Sequence, residues 1–275
     1  MRIEKLMDKK NTSKIRKIIA LIPARDGSKS IRHKNVQSLN GIPLFMHSIN
    51  TAKESKIIDE IYFLTNNSWY ADIARNYDIN VPYLRSELSS LDDAKDTIVL
   101  KEFMNYFKIE KHFNSVLFVW LRPTHPFRDI RFVDNSINKF INSDFCSMRT
   151  VSPAKQTPYK MWKIMEDNRL SRILGNIDSG EHDAPRQTLP EIYWQDGYLD
   201  ILYPCAIKET LCEFHNAKIG AIVSEQDEGF NIDLDYPEDF QKAFQIFGNQ
   251  TYDDNLDLRH FDRKINGSDI HRYGS

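Results

Sequence analysis

Short, nearly continuous apolar runs recur along the chain, and the stretches between them carry apolar residues three or four positions apart. The runs at residues 18–22, 61–65, 115–121, 146–151 and 219–223 are strand-length. Unbroken apolar character is what a strand covered on both faces requires. Leu100, Met104 and Phe107 share one helical face, as do Ile130, Val133, Ile137, Phe140 and Ile141, and later Phe240, Ala243, Phe244 and Phe247. This alternation predicts an α/β fold, with a mostly parallel sheet and helices on both faces. Residues 152–190 break the rhythm with prolines, polar residues and scattered aromatics, which predicts an arm inserted into one domain spanning 17–248. A basic leader (1–16) precedes that domain and a polar tail (249–275) follows it.

Composition narrows the function. Of 275 residues, 41% are apolar and 28% charged, enough for a real core under an ordinary polar surface. With 37 basic and 39 acidic residues the formal charge is −2, which argues against nucleic-acid or membrane partners and makes any anion site local. No apolar run approaches the ~20 residues of a membrane span. The run after the basic leader stops at Pro23 and Arg25, so it reads as a first strand rather than a signal peptide. Cys146, Cys205 and Cys212 have neither metal-site spacing nor an even count for a disulfide framework. They are expected as buried small hydrophobes in a reducing cytoplasm.

In an open α/β sheet the ligand crevice lies beyond the carboxyl ends of the strands, so the segment after the first strand carries weight. There Gly27 and Ser28 allow close approach of backbone N–H groups, and Arg25, Lys29, Arg32 and Lys34 supply charge, as a polyphosphate cradle requires. A solvated basic loop would have the same composition; position after strand one favours the cradle. Neither the Walker A nor the G-x-G-x-x-G spacing is present. Near the end of the domain, Asp233 and Asp235 fall on one side of an extended backbone, where two carboxylates can hold Mg²⁺ against phosphate oxygens. Asp235 with Glu238 also reads as a capping box for the last helix.

Five segments in order, 20–29 with Lys34 and Asn35, 39–44, 122–128, 186–190 and 232–235, resemble the acylneuraminate cytidylyltransferase (CMP-sialic acid synthetase) family, and the match runs from about Lys17 to Phe247. The resemblance implies a Rossmann-like nucleotidyltransferase fold and a Mg²⁺-dependent reaction of CTP with a nonulosonic acid, giving a CMP-sugar and pyrophosphate. By the same resemblance Arg25, Lys29 and Lys34 bind the triphosphate, Asn35 and Arg85 neighbour the nucleotide, and Asp233 and Asp235 hold the metal. Lys160, Arg186 and Gln187 approach the sugar acid from an arm that forms a homodimer, so they can serve the neighbouring subunit. Arg25 and Lys34 are assigned to the charge of the transition state and of pyrophosphate, and Asp233, through a water on the metal, is the candidate general base.

The chain departs from the family at three places. Arg122 and His125 stand where glutamine and serine are usual, Asp196 replaces an asparagine at a strand expected to face the sugar, and charges replace small hydroxyl residues at 92–96. Arg122 can pair with the sugar acid's carboxylate or brace its own loop. His125 can be proposed as a base, although an exposed loop histidine between two prolines is the plainer expectation. Trp194 and Tyr198 read as core or interface packing before a sugar platform. The rival functions are a related nucleotidyltransferase for 3-deoxy-octulosonate or a sugar 1-phosphate, a glycosyltransferase using its Asp-x-Asp, and a nucleotide-binding scaffold without chemistry.

Overall fold

The computed structural model describes residue 15 and residues 17–109, 115–174, 180–207, 218–224 and 232–247; the leader before residue 15, the tail from 249 and Cys212 lie outside them. The first strand, β1 (Lys17–Pro23), is followed by the short antiparallel pair β2 (Ser38–Leu39) and β3 (Ile42–Pro43), then α1 (Leu44–Glu54) and β4 (Glu60–Leu64). Three helices, α2 (Ser68–Asn76), the single turn α3 (Glu87–Ser90) and α4 (Asp96–Phe107), lead to β5 (Val116–Trp120). Next come α5 (Ile130–Ile141) and β6 (Ser147–Pro153). The inserted arm carries an antiparallel ribbon of β7 (Trp162–Ile164) and β8 (Leu170–Arg172), after which β9 (Tyr193–Leu202), β10 (Ile219–Val223) and α6 (Pro237–Ile246) complete the described chain.

The main sheet runs β10-β6-β9-β5-β1-β4. Pairs β1·β4, β1·β5 and β6·β10 are parallel, whereas β9 pairs antiparallel with β5 and β6. Each expected strand is present to within two residues at either end, and β9 is the one that the apolar pattern does not announce. Its polar positions are the reason: Asp196 and Asp200 are buried at 3% and 4% exposure, so the strand shows neither an apolar run nor a clean alternation.

Helices cover both faces. On one, Phe45 and Ile49 of α1, Tyr70 of α2 and Val133, Ile137 and Phe140 of α5 pack with Ala20, Ile22 and Val119 of the strands. On the other, Leu100 and Phe103 of α4 close over Leu21, Phe118 and Trp120. Each large apolar side chain so buried contributes about 1.5–3 kcal/mol. Side-chain caps begin two of these helices, Asn67 accepting from Trp69 N and Tyr70 N, and Asp129 from Arg131 N. No helix among the described residues is long and apolar enough to cross a membrane.

The expectation of buried cysteines needs correction. Cys205 is exposed in the one-turn helix that follows β9, and its side chain lies in hydrogen-bonding contact with half-buried Cys146.

One irregularity shapes the rest. While β6 advances from Arg149 to Val151, its partner β9 moves from Asp200 back to Gln195, so β9 bulges at residues 196–199. Thr150 fills the gap in the ladder, its hydroxyl accepting from Leu199 N at 2.9 Å and donating to Leu199 O at 3.2 Å. Gly197, at φ +76°, supplies the left-handed residue the bulge needs.

At the sheet edge, a Cβ added to Gly220 of β10 would sit 2.6 Å from Phe145 Cδ2 and 2.8 Å from Met148 Cγ. Gly220→Ala is expected to lower the unfolding free energy by about 1–3 kcal/mol in urea titrations. An unchanged midpoint would mean that Phe145 can turn aside at no cost.

Candidate functional site

The carboxyl ends of β1, β5 and β6 open on one side of the sheet, and because β9 runs the opposite way its N-terminal half reaches the same side. Connections from β1 diverge there, toward β4 on one flank and eventually β5 on the other, which makes this edge a topological switch point.

The loop after β1 is anchored by Asp26. Its carboxylate accepts from Asn67 Nδ2 at 2.7 Å, Tyr70 OH at 3.1 Å and Gly27 N at 2.8 Å. Burial alone would raise the Asp26 pKa, but these hydrogen bonds and the nearby His33 hold it below the usual carboxylate value. Because Asn67 also caps α2, the loop and that helix are tied together. Asn35, 8% exposed, turns inward and donates to Arg25 O at 2.9 Å, so it fixes the loop's backbone. Three of the loop's cations hold carboxylates, Lys29 exposed, Arg25 partly so and Lys34 largely covered, while Arg32 is exposed. Asp92 bridges Arg25 Nη1 at 2.7 Å and Lys29 Nζ at 2.6 Å, while Lys34 Nζ meets Asp235 Oδ1 at 2.7 Å. The two pairs made by Asp92 are of the exposed kind, which is weak, so an incoming polyanion can exchange for Asp92.

Beneath the loop lies a second layer of charge. Arg122 pairs with Asp200 at 2.8 Å and with Asp96, the first residue of α4, at 2.5 Å. Burial would lower its pKa, but the two carboxylates overcome that and raise it. Of the two readings of Arg122, the bracing one is the geometry found here. Arg128 donates to the carbonyls of Tyr198, His125 and Arg122 and to Ser48 Oγ, at 2.5–2.8 Å. It therefore ties the loop at 122–128 to β9 and α1 through four oxygens. Arg85 is buried, donates to Ser89 O, and lies within the fields of Glu102, Asp96 and Arg25.

Asp233 and Asp235 stand beside this layer. Leu234, fully buried, pins their segment through its N–H to Thr124 O at 2.8 Å, and Asp235 N bends back to Asp233 O at 3.1 Å. The backbone is therefore turned rather than extended. Asp233 accepts from the Thr124 hydroxyl; burial first and then the like charge of Asp235 raise its pKa, against the pull of Lys34 and Arg122. Its Oδ1 is buried without a hydrogen-bond partner. An orphaned carboxylate oxygen, a second carboxylate two residues away and a cationic loop alongside form a donor set that fits a hard divalent cation shared with phosphate. Asp235 is not the cap of the last helix: Tyr236 takes the N-cap position, and Asp239, rather than Glu238, reaches back to accept from Tyr236 N at 3.0 Å and Asp235 N at 3.3 Å. The helix starts one residue later than the capping-box spacing implied.

Two further expectations are overturned. His125 is 1% exposed, not a surface histidine, because the bulge of β9 and Arg128 enclose it. Burial and the neighbouring Arg128 charge depress its pKa to about 3, so the imidazole is neutral. Asp196 does not face outward toward a sugar. Its carboxylate accepts from Ser152 Oγ at 2.6 Å, Ser224 Oγ at 2.8 Å and Tyr198 N at 3.1 Å.

The fold thus brings Arg25, Lys29, Lys34, Asn35, Arg85, Arg122, Asp233 and Asp235 to one crevice. It does not bring Lys160, Arg186 and Gln187 there: all are exposed on the arm, and among the described residues no hydrogen bond or ion pair joins them to it. Arg186 donates to Ala154 O at 3.2 Å. Tyr198 is core, whereas Trp194 is 58% exposed. Asp92, Asp96, Arg128 and Asp200 were not singled out from sequence as site residues. Arg128 lies in the 122–128 motif, which was the one available signal for it.

Asp196 also sets an acid limit. Burial would raise its pKa, yet the hydrogen bonds from Ser152, Thr150, Tyr198 N and Ser224 bring it below the ordinary value. A depressed folded pKa stabilises fully above the unfolded carboxylate value of about 3.9, and that contribution is lost as pH falls through the folded pKa. Below about pH 4, wild-type stability in urea is therefore expected to fall more steeply than that of Asp196→Asn. Parallel stability curves would contradict this account.

The sequence matches the family described as cytidylyltransferase over residues 19–249. A CMP-N,N'-diacetyllegionaminic acid synthase of Legionella pneumophila is 40% identical over 114 residues, 41% of this chain and 48% of that protein. An N-acylneuraminate cytidylyltransferase of Streptococcus agalactiae is 27% identical over 229 residues, 82% of this chain and 52% of that protein. The matches span about half the length of each of these relatives. The solved structure of CMP:2-keto-3-deoxy-manno-octonic acid synthetase complexed with CTP superimposes with a TM-score of 0.58 at 13% identity, covering 84% of this chain and 98% of that one. At that identity the likeness speaks for the fold, a Rossmann-like nucleotidyltransferase architecture. Since the family match extends from β1 through α6, this chain belongs to the cytidylyltransferase family.

Proposed function

We propose that this chain activates a nonulosonic, sialic-acid-like sugar acid with CTP, releasing pyrophosphate, and that it does so with Mg²⁺ held by Asp233 and Asp235. The observation that carries the reading is the pairing of an exchangeable cationic loop with a carboxylate pair that has an orphaned oxygen, at the switch point of a sheet whose family is cytidylyltransferase. The names of the relatives supply the substrate class.

In the reaction a sugar hydroxyl attacks the α-phosphorus and pyrophosphate leaves, so the protein's work is positioning and charge stabilisation. Triphosphate oxygens displace Asp92 from Arg25 and Lys29, and Lys34 lies where it can follow the charge onto pyrophosphate. One cation at ~4 Å is worth roughly 4 kcal/mol at an effective dielectric of 20, so three of them offset most of a triphosphate's charge. When bound, the metal neutralises phosphate oxygens; Asp233 and Asp235 are the residues that would hold it. Arg122, Asp96 and Asp200 keep the loop at 122–128 in register with Asp233.

The arm supports a homodimer in this reading. Ile164, Leu170 and Trp194 are 75%, 57% and 58% exposed on or beside it, an apolar surface that a second copy would cover. Lys160, Arg186 and Gln187 would then reach the partner's crevice and its sugar carboxylate.

Pyrophosphate release with CTP and Mg²⁺ is expected for one of N-acetylneuraminate, legionaminate or pseudaminate. Arg25→Ala and Asp233→Ala are each expected to lower kcat/KM by about 10²–10³-fold. Release only with 3-deoxy-octulosonate or a hexose 1-phosphate would move the substrate class, and CTP binding without turnover of any acceptor would leave a scaffold. Asp92→Asn frees two cations and is expected to tighten CTP binding several-fold by calorimetry; weaker binding would show Asp92 to be part of the nucleotide site.

A further inference from the structure

His125 and Asp233 form an unusual pair. Asp233 Oδ1 is buried without a hydrogen-bond partner and His125 Nδ1 lies 3.7 Å from it; the imidazole, also buried, makes no well-formed hydrogen bond, and the Asp196 backbone is the other acceptor close to its ring. A buried polar atom left unpaired costs about 1–3 kcal/mol, so two facing one another call for a reason. The imidazole is held from three sides. Tyr198 meets it edge-on with ring centroids 6.0 Å apart, Gly197 packs beside its Cε1, and its own carbonyl is gripped by Arg128 Nη1. It cannot swing away to solvent. The Asp233 segment is joined through Leu234 N to Thr124 O, in the loop that carries His125.

We propose that His125 is a positioning residue, whose Nδ1–H closes onto Asp233 Oδ1 and fixes the orientation in which that carboxylate meets its cation. This inference rests on the reading of Asp233 as a cation ligand and adds a residue to it. Carboxylates that ligate metals are themselves commonly held by an outer hydrogen bond, and removing such a partner typically costs 10–100-fold in metal affinity. Here the outer donor is a side chain that cannot reach solvent, and Thr124, its neighbour in the same loop, holds Asp233 as well. Two adjacent residues of one loop therefore orient one carboxylate.

The test uses the full chain and Mn²⁺, with unbound Mn²⁺ counted by electron paramagnetic resonance in the absence of nucleotide. His125→Asn keeps an N–H donor near the position of Nδ1, whereas His125→Gln places its donor near Nε2. Mn²⁺ affinity is expected to stay within about threefold of wild type in His125→Asn and to fall about 10–100-fold in His125→Gln and His125→Ala. CTP affinity in EDTA is expected to be the same for all of them, which a merely structural role would not leave intact. Equal Mn²⁺ affinity across the variants, or rescue by Gln and not Asn, overturns the positioning role. Asp233→Asn separates the two levels: if it abolishes Mn²⁺ binding while the His125 variants do nothing, the positioning role alone fails. If Asp233→Asn binds Mn²⁺ as wild type does, the cation reading fails and takes this inference with it.

Discussion

The structure depends on the ion pairs of Arg122 with Asp96 and Asp200, which join three elements at the bottom of the crevice. Asp96 opens α4, Asp200 belongs to β9, and Arg122 begins the loop after β5. Asp200 is the buried partner, and breaking its pair with Arg122 leaves an uncompensated charge at a typical cost of about 3–5 kcal/mol; the more exposed pair with Asp96 is worth less. Such a cluster is an expensive way to gain stability but an effective way to impose register. It obliges β9, among the described residues the one antiparallel strand of the main sheet, to seat between β5 and β6 at one alignment.

The bulge of β9 follows from that alignment. With Asp200 pinned and Gln195 paired to Val151, the intervening residues must leave the ladder. In the bulge Asp196 finds hydroxyls from Ser152 and Ser224, and the Tyr198 hydroxyl oxygen accepts from Asp129 N at 2.7 Å. A carboxylate can replace an amide here because its surroundings are rich in donors. The bulge also forms the wall against which His125 lies, so the interior charge cluster and the loop at 122–128 share one mechanical support.

Above this layer the loop after β1 is held by its backbone more than by its charged side chains. Its backbone is fixed by Asp26 and Asn35, whereas Arg25, Lys29 and Lys34 rest on carboxylates that are about half exposed. Rigid backbone with exchangeable side-chain pairs is a suitable arrangement for binding a polyanion and then releasing part of it. A deeply buried counter-ion would bind the loop too strongly to be displaced.

Much of this was legible in the amino-acid sequence. Strands buried on both faces leave continuous apolar runs, and amphipathic helices leave a three-to-four spacing, so the α/β class and most element positions follow from burial alone. That Arg25, Lys29 and Lys34 gather beyond the carboxyl end of the first strand was legible as well, from their place in the chain; that Asp233 and Asp235 lie beside them depends on the hydrogen bond from Leu234 N to Thr124 O. Tertiary structure alone decided the rest. Whether Arg122 faces a ligand or braces a loop depends on Asp96 and Asp200, which are distant in sequence and close in space. The burial of His125 depends on a bulge created by a register shift between two strands, and the inward turn of Asp196 depends on hydroxyls from two others. Local sequence encodes which residues prefer to be buried; the partners that make a buried charge tolerable come from elsewhere in the chain, and only folding brings them together.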